Sequence, residues 1–329
     1  MYNTPFHKTD ISKLSFLITG GCGFIGSNIV EYLLKYNAGK VVVLDNVSTG
    51  FKKNIEPFLP KSNFSFIEGD ITDFQTCKKA CEGIDYVTHQ AALGSVPRSV
   101  KDPSATHAVN ATGFLNMLVA AKDAKVKRVV YASSSSVYGD HPVLPKLEDE
   151  TGNPLSPYAV TKKTNELYAN VFASTYQMEI IGLRYFNVFG PNQSPEGAYA
   201  AVIPLFMQAV INKTAPFIDG DGEQTRDFTF VENAVQANIK SFFAERKDAV
   251  NQIYHVAVGE KISVNSLYSM IAELGGSSVK PIHRETRAGD IRNSLADISK
   301  IHELVGYEPG IKVNAGLKIA FDWYRKNFG

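Results

Sequence analysis

The fold of this chain of 329 residues is decided by a stretch close to its start, Leu17-Ile18-Thr19-Gly20-Gly21-Cys22-Gly23-Phe24-Ile25-Gly26. We predict that this stretch ends a first strand, turns on its glycines and opens a first helix. So tight a turn needs backbone angles that a β-carbon disfavours, and the amino terminus of a helix offers free N–H groups and a positive potential. The pattern therefore predicts a binding site for the pyrophosphate of a dinucleotide. The alternative is a glycine-rich turn without a ligand.

A carboxylate follows the predicted second strand. Val41 to Leu44 form that strand, and Asp45 stands at about the offset expected of an acid that binds the adenosine ribose. The ribose hydroxyls would donate hydrogen bonds to Asp45, and its charge would repel a 2′-phosphate, so NAD is favoured over NADP. The alternative is that Asp45 only begins a turn before Asn46. We expect Gly69-Asp70-Ile71, after the third strand, to reach the adenine.

Short apolar runs alternate with segments of helical spacing through the first half of the chain, which is typical of a parallel sheet covered by crossover helices. Several runs are continuously apolar, as in strands that are buried on both faces. We predict strands at Ser15–Thr19, Lys40–Leu44, Phe64–Ile67, Tyr86–His89, Arg128–Ala132 and Glu179–Leu183. We predict helices at Phe24–Tyr36, Pro103–Ala124 and Pro157–Tyr176. The predicted fold class is α/β, a doubly wound parallel sheet.

The pattern changes after Asn187, where glycines and prolines separate shorter elements. We expect a smaller carboxyl-terminal substrate domain, with the active site in the cleft between the two domains. The predicted boundaries assign residues 1–187 and about 228–258 to the dinucleotide-binding domain. Residues 188–227 and about 259–329 are assigned to the substrate domain.

Composition excludes several classes of protein. The chain has 34 basic and 33 acidic side chains, a balance that provides no attraction for nucleic acid or anionic lipid. Cys22, Cys77 and Cys81 are too few for a disulfide framework and stand at no zinc-binding spacing, so we expect no metal site. We find no signal-peptide pattern and no run of about 20 apolar residues that would span a bilayer. We therefore expect a cytoplasmic enzyme without nucleic-acid or membrane partners.

Tyr158 and Lys162 stand four residues apart in a predicted helix, so they lie on one face about one turn apart. A phenol with an ordinary pKa of about 10 is a poor base at neutral pH, but a neighbouring ammonium and a positive nicotinamide ring both favour its anion. Such a pair is also common on solvated helices. It gains significance from the glycine turn and from the serine run Ser133–Ser136, which follows the predicted fifth strand.

Together, Gly20-x-x-Gly23-x-x-Gly26, the serine run and Tyr158-x-x-x-Lys162 resemble the extended short-chain dehydrogenase/reductases over nearly the whole chain. Within that family, three stretches resemble UDP-sugar 4-epimerases: His89 to Ser99, Arg184-Tyr185-Phe186-Asn187 and Gly289-Asp290. The narrower resemblance is to bacterial enzymes that interconvert UDP-N-acetylglucosamine and UDP-N-acetylgalactosamine, or the corresponding uronic acids, for surface polysaccharide such as O-antigen.

The resemblance implies three catalytic residues. Tyr158 is then the base, Lys162 holds the nicotinamide ribose and lowers the pKa of the phenol, and Ser134 bridges the sugar 4-hydroxyl to Tyr158. Such a site removes a proton from O4 while a hydride leaves C4 for NAD, and it returns the hydride to the opposite face of the 4-keto sugar. Related 4,6-dehydratases carry an Asp-Glu pair where this chain has Ser135 and Ser136, so epimerisation is favoured over dehydration.

The resemblance also implies the binding residues. For NAD they are Gly20, Gly23, Phe24, Ile25, Gly26, Asp45, Asn46, Asp70, Ile71, Ala91, Ala92, Asn110, Tyr158, Lys162 and Tyr185. For the sugar nucleotide they are Gly94, Ser95, Ser134, Ser135, Ser136, Asn187, Gln193, Ala201, Val202, Phe217, Arg226, Arg287, Asp290 and Ser294. Arg226 and Arg287 would bind the diphosphate, since a guanidinium pairs with two oxygens at once. Phe217 would stack on uracil, and Asp290 would bind the uridine ribose.

Ser294 stands where epimerases restricted to UDP-glucose and UDP-galactose carry a bulky tyrosine. A small side chain leaves room for a 2-acetamido group; the alternative is a small residue selected only for packing. The first hypothesis is therefore a UDP-N-acetylglucosamine 4-epimerase. The second is the same reaction on UDP-N-acetylglucosaminuronate or UDP-glucuronate, for whose carboxylate Arg98 and Gln193 are candidates.

A third hypothesis is a non-catalytic NAD-binding regulator. Such a protein would not require Tyr158, Lys162 and Ser134 together, and their joint presence is the feature that distinguishes it from an enzyme. The resemblance also implies a homodimer formed through the helices Pro103–Ala124 and Pro157–Tyr176.

Overall fold

A sheet of seven parallel strands forms the centre of the protein. The computed structural model describes residues 1–196, 200–286 and 292–329. Its strands are β1 Ser15–Thr19, β2 Lys40–Asp45, β3 Phe64–Glu68, β4 Tyr86–His89, β5 Arg128–Ser134, β6 Ile180–Tyr185, β7 Val188–Phe189, β8 Phe217–Asp219, β9 Thr225–Arg226, β10 Thr229–Phe230, β11 Ile253–Val256, β12 Ile262–Ser263 and β13 Ile282–Arg284. The central sheet has the order β3-β2-β1-β4-β5-β6-β11, and every neighbouring pair in it is parallel. The predicted doubly wound α/β fold is confirmed.

Helices connect the parallel strands. They are α1 Phe24–Lys35, α2 Phe74–Cys81, α3 Val96–Lys101, α4 Pro103–His107, α5 Gly113–Asp123, α6 Pro157–Tyr176, α7 Val202–Ile211, α8 Val231–Phe242, α9 Val264–Leu274, α10 Ser299–Val305 and α11 Val313–Phe328. The chain runs from β1 outward to β3 on one side and returns to build β4, β5 and β6 on the other. The connections that follow β1 and β4 therefore diverge, and a crevice opens at the carboxyl ends of these two strands.

Two apolar cores lie on the two faces of the sheet. On one face α1 and α8 bury Ile29, Tyr32 and Phe242, and on the other α2, α5 and α6 bury Phe114 and Phe172. Alternate residues of the apolar run 41–44 in β2 belong to the two cores. This is why the run is continuously apolar instead of alternating.

Some predicted elements end at other residues than expected. β5 runs to Ser134 instead of Ala132, because Ser133 and Ser134 pair with Arg184 and Tyr185 of β6. The serine run therefore begins inside the sheet and not after it. β6 covers Ile180–Tyr185 instead of Glu179–Leu183, and β2, β3 and α1 each differ from the prediction by one residue.

The long helix predicted at Pro103–Ala124 consists of α4, a π-helical turn at Ala108–Thr112, and α5. Such turns interrupt a helix and are frequent at functional sites. Asn110 lies in the turn, and its buried amide holds the backbone of Leu93. Leu93 N donates to Asn110 Oδ1 at 2.8 Å, and Asn110 Nδ2 donates to Leu93 O at 3.2 Å. The π turn thus positions the loop that follows β4.

A third apolar core lies in the segments predicted to form the substrate domain. It includes Phe189, Phe206 and Tyr324 and is built mainly on α7, α9 and α11. Phe230 and Val231, from the segment that returns to the central sheet, also pack into it. The predicted domain boundaries themselves stay a prediction.

The cysteines are buried free thiols, as their spacing suggested. Burial raises the pKa of each to about 12. Within the three described ranges, no helix has both the length and the apolar character required to cross a membrane.

A methyl group at residue 26 would collide with the glycine turn. A Cβ on Gly26 would lie 2.2 Å from the carbonyl oxygen of Gly20. Because backbone atoms have little freedom to move aside, we expect Gly26→Ala to lower the free energy of unfolding by about 1–3 kcal/mol in urea or thermal unfolding. Gly310→Ala is the matched control, since a Cβ there meets no heavy atom within 4 Å. Equal stability of the two variants would contradict the steric argument.

Candidate active site

One cleft opens at the carboxyl ends of the central strands and has a volume of about 660 Å³. Of the residues predicted to bind NAD, it brings together Gly20, Gly23, Phe24, Ile25, Gly26, Asp45, Asn46, Ile71, Ala91, Ala92, Tyr158, Lys162 and Tyr185. Of those predicted to bind the sugar nucleotide, it brings together Gly94, Ser95, Ser134, Ser135, Asn187, Gln193 and Ala201. Residues spread over most of the chain length therefore meet in a single concave site.

The glycine turn leaves no room for side chains. Gly20 has a φ of +70°, and a Cβ on it would lie 2.7 Å from the backbone nitrogen of Ala91. Gly23 stands at the start of α1, which no side chain caps in the described part of the protein. Uncapped N–H groups in the first turn of a helix suit a phosphate. The turn therefore fits the pyrophosphate of a dinucleotide.

Asp45 lines the cleft and is also part of a turn. Its Oδ2 accepts a hydrogen bond from Cys22 N at 2.9 Å, and its Oδ1 accepts one from Val47 N at 2.8 Å. The first bond ties the end of β2 to the glycine turn, and the second is the turn-forming contact considered as the alternative. Both interpretations of Asp45 are therefore compatible. Burial raises the pKa of Asp45, and these two bonds oppose the increase.

Ser134, Tyr158 and Lys162 line the cleft together. The side chains of Ser134 and Tyr158 are hydrogen-bonded. Lys162 Nζ donates to Ala132 O at 2.7 Å and lies 5.9 Å from the centre of the Tyr158 ring. The predicted N-cap of α6 is confirmed, because Ser156 Oγ accepts from the backbone N–H of the third helical residue at 3.2 Å. The start of α6 and the last residue of β5 thus bring the three side chains to one place.

Burial controls the protonation of this pair. It lowers the pKa of Lys162 to about 8, while the negative charge of Glu166 opposes the decrease. It raises the pKa of Tyr158, while the hydrogen bond with Ser134 opposes the increase. The expectation that Lys162 lowers the phenol pKa is therefore wrong for the protein by itself, because desolvation of the phenolate has the larger effect. A positive nicotinamide ring is the further charge that would favour the phenolate.

Gln90 lines the cleft but was not predicted as a site residue. Its Oε1 accepts from Tyr185 OH at 3.1 Å, and its Nε2 donates to Thr88 Oγ1 at 2.8 Å and to Asn238 Oδ1 at 3.2 Å. Asn238 Nδ2 donates to Tyr185 OH at 2.7 Å, which closes the network. The network fixes Tyr185 between β4, β6 and α8. Gln90 lies in the stretch that carries the family resemblance, whereas Asn238, 148 residues later, gives no such signal.

A second pocket of about 190 Å³ adjoins the cleft, and Asn187 lines both. Three more predicted substrate residues line it, Val202, Phe217 and Arg226. The Phe217 ring is 57% exposed, so one aromatic face is available for stacking. Arg284, which was not predicted, also lines this pocket, and its guanidinium carbon lies 5.3 Å from the centre of the Phe217 ring.

Asp227 holds the backbone behind the second pocket and gave no signal in the sequence. Its carboxylate is fully buried and accepts from Val258 N and Gly259 N, each at 3.0 Å. Its carbonyl oxygen accepts from Asn187 Nδ2 at 3.0 Å. Burial raises the pKa of Asp227 to about 6, against these backbone hydrogen bonds. Asp227 thus fixes the strand that carries Arg226.

Three predicted residues lie behind the described lining. Asp70 accepts from Asn46 Nδ2 at 2.7 Å and so contacts a residue of the lining. Asn110 acts on the cleft through the backbone of Leu93. Ser136 Oγ is buried, and within the described residues no hydrogen-bond partner for it is present.

The remaining predicted residues lie near or beyond the second pocket. Ser294 is half-buried, and its N–H donates to Thr225 O at 3.0 Å, next to Arg226. Arg287 and Asp290 lie outside the described residues. Their roles, and the acetamido pocket at Ser294, stay predictions.

Comparisons with known proteins give a consistent result. The family model described as "NAD dependent epimerase/dehydratase family" matches residues 16–257. The structure of a UDP-N-acetylglucosamine 4-epimerase from Methanobrevibacter ruminantium M1, in complex with UDP-N-acetylmuramic acid, is 38% identical with a TM-score of 0.90, over 96% of this chain and 99% of that one. The Thermus thermophilus UDP-glucose 4-epimerase in complex with NAD is 32% identical with a TM-score of 0.85, over 95% and 99%. A UDP-glucuronate 4-epimerase of Thermodesulfobacterium geofontis is 36% identical, over 95% of this chain and 96% of that one.

The site agrees with these likenesses. The glycine turn and Asp45 are arranged for a dinucleotide, and the family match includes both of them as well as Ser134, Tyr158 and Lys162. The resemblance to the extended short-chain dehydrogenase/reductases is therefore confirmed. The chain belongs to the NAD dependent epimerase/dehydratase family, with NAD as its cofactor.

Proposed function

We propose that this protein epimerises C4 of a UDP-sugar and that its substrate pair is UDP-N-acetylglucosamine and UDP-N-acetylgalactosamine. The observation that carries the proposal is the junction of two pockets at Asn187. The catalytic residues line the larger pocket, and an exposed aromatic ring and Arg226 line the smaller one. A nucleotide held in the smaller pocket would direct its hexose toward Ser134 and Tyr158.

Each residue has one role in this reaction. Bound NAD supplies the hydride acceptor and, later, the hydride donor. Tyr158 takes the proton from O4 as the C4 hydride leaves, and Ser134 bridges the two oxygens through its hydroxyl. The ammonium of Lys162 stabilises the phenolate. The 4-keto sugar turns in the cleft, and the reverse transfers invert C4.

The loop after β5 supports epimerisation over dehydration. A dehydratase needs an acid and a base near C5 and C6 to expel water. Ser135 lines the cleft and Ser136 follows it, and neither hydroxyl is a carboxylate. Epimerisation at C4 needs neither group.

The charge of the cleft favours a neutral hexose. Arg98 and Glu196 both line it, so a carboxylate at C6 would meet a like charge as well as an opposite one. The second candidate substrate is nevertheless a UDP-hexuronate, because a glucuronate epimerase is among the relatives and Arg98 lines the cleft. Proton NMR with each UDP-sugar in turn, without added cofactor, tests the proposal. We expect the N-acetylhexosamine pair to interconvert fastest; no conversion of any UDP-sugar would overturn it.

Replacing the base tests the chemistry. We expect Tyr158→Phe to keep the fold and bound NAD and to lower turnover by roughly 10²–10⁴-fold, because the proton of O4 loses its acceptor. Turnover is measured by NMR, and bound NAD by absorbance after denaturation. Tyr168→Phe is the control on the same helix, since Tyr168 is exposed. Full activity of Tyr158→Phe would refute the assigned base.

Replacing Ser294 tests the acetamido pocket. We expect Ser294→Tyr to lower kcat/KM for UDP-N-acetylglucosamine by at least roughly tenfold more than for UDP-glucose, because a bulky ring would occupy the space that the acetamido group needs. Ser278→Tyr adds the same ring at an exposed position and serves as control. An equal loss with both sugars would remove this pocket from the proposal.

We also propose a homodimer through α6 and the helices of residues 103–123. Val160, Leu167 and Val171 follow one another on α6 at helical spacing and are 50%, 58% and 54% exposed. Such a row of exposed apolar side chains is suited to packing against a second copy.

A charge on this row should separate the subunits. We expect Leu167→Glu to weaken association by about 2 kcal/mol or more, because the carboxylate would be buried without a partner. Light scattering over a range of concentrations measures the mass. Leu59→Glu changes an exposed leucine elsewhere and is the control. A wild-type protein that is monomeric at all concentrations would disprove the dimer.

A further inference from the structure

Glu166 is a buried carboxylate that the proposed reaction does not use. Its side chain is 3% exposed and lies in α6 one turn after Lys162. Arg184 donates to it twice, from Nε to Oε1 at 2.7 Å and from Nη2 to Oε2 at 2.9 Å. Ser133 Oγ donates to the same Oε1 at 2.7 Å. One carboxylate therefore joins α6 to the ends of β5 and β6.

The residues that Glu166 contacts are neighbours of the catalytic ones. Ser133 directly precedes Ser134 and pairs with Arg184 across β5 and β6. Lys162 and Glu166 stand four residues apart, so they share one face of α6. The carboxylate is thus connected to both parts of the catalytic site, the strand end that carries the serine and the helix that carries the lysine.

Stability alone is a weak reason for this ion pair. The desolvation of two buried charges can exceed their attraction, and apolar residues of similar volume often replace such pairs without loss. The strand ends are also held by the backbone ladder between β5 and β6. Arg184 is fixed independently, because its Nη1 donates to Tyr138 OH and to Glu148 O, each at 2.7 Å. The carboxylate therefore needs an explanation that involves its other neighbours.

We propose that Glu166 is a positioning residue of the active site: its carboxylate fixes the end of β5 through Ser133 and places a negative charge near the ammonium of Lys162. Glu166 is not part of the described lining of the cleft, so it acts through these two residues. The inference rests on the proposed function, because it takes Ser134, Tyr158 and Lys162 as catalytic.

The charges around the site indicate the direction of the effect. The titratable and charged groups near Lys162 and Glu166 are His89 of β4, Tyr131 of β5, Tyr158 and Lys163 of α6, and Arg184 of β6. Burial lowers the pKa of His89 to about 3 and raises the pKa of Tyr131, so both are neutral at pH 7. Burial lowers the pKa of Lys162 to about 8, and Glu166 opposes that decrease. Without the carboxylate, Lys162 would lose its proton at a lower pH.

Glu166→Gln tests the effect of the charge. In the NAD-loaded protein with ¹³C-labelled lysine, the Lys162 Cε resonance is identified by its absence from Lys162→Met and is followed through a pH titration. We expect the midpoint to fall by on the order of one pH unit in Glu166→Gln. An unchanged midpoint would overturn the electrostatic part of the proposal.

Glu179→Gln is the matched control for this titration. Glu179 accepts from Arg128 Nε at 2.9 Å and from Arg128 Nη2 at 2.7 Å, at the opposite ends of β5 and β6. It therefore loses an arginine partner between the same strands, far from the catalytic serine. We expect its Lys162 midpoint to equal that of the wild type. An equal shift in both variants would indicate a general loss of packing and would overturn the proposal.

Ser133→Ala tests the positional effect and removes only one hydroxyl, so it remains informative if Glu166→Gln does not fold. We expect kcat to fall roughly tenfold or more, because small displacements at a reacting centre are costly. KM and the Lys162 midpoint should stay the same, since the ion pair is intact. An unchanged kcat would overturn this part. The titration needs no turnover, so it still tests Glu166 if the wild type epimerises no UDP-sugar.

Discussion

The close approach of two backbone segments at the end of β1 is the constraint on which the rest of the site depends. The turn at Gly20 passes so near to Ala91 that a single β-carbon would be 2.7 Å from a main-chain nitrogen. This approach brings the loop after β4 alongside the start of α1. The dinucleotide cleft exists because these segments are close below it while their continuations diverge above. The remaining lining is added to that frame by β5, β6 and α6.

Desolvation determines the chemistry of the cleft. Burial makes both charged forms of the catalytic pair costly, since it lowers the pKa of Lys162 and raises that of Tyr158. A dry site strengthens every electrostatic interaction in it. The carboxylate of Glu166 behind the lysine and a positive ring in front of the phenol are therefore the groups whose charge matters most. The protein supplies the first, and the cofactor supplies the second.

Strongly apolar segments were the easiest to predict. β1 and β4 have the predicted bounds, and β2 and β3 are one residue longer, because runs of β-branched and aromatic residues favour strands wherever they are buried. β5 was predicted too short because Ser133 and Ser134 have no strand preference of their own. They are held in the sheet by Arg184 and Tyr185 of β6. Likewise, no local pattern indicates the π turn around Asn110.

The sequence by itself determined the parallel sheet, the glycine turn, the acid after β2 and the three residues of the catalytic set, because each depends on local spacing or on the residue's own chemistry. Only the tertiary structure decided what surrounds them. It brought Asn238 to Gln90 and Arg184 to Glu166, and it set the direction in which the pKa of Tyr158 moves. Contacts between distant segments and the degree of desolvation depend on how whole elements pack, and no stretch of sequence contains that information alone.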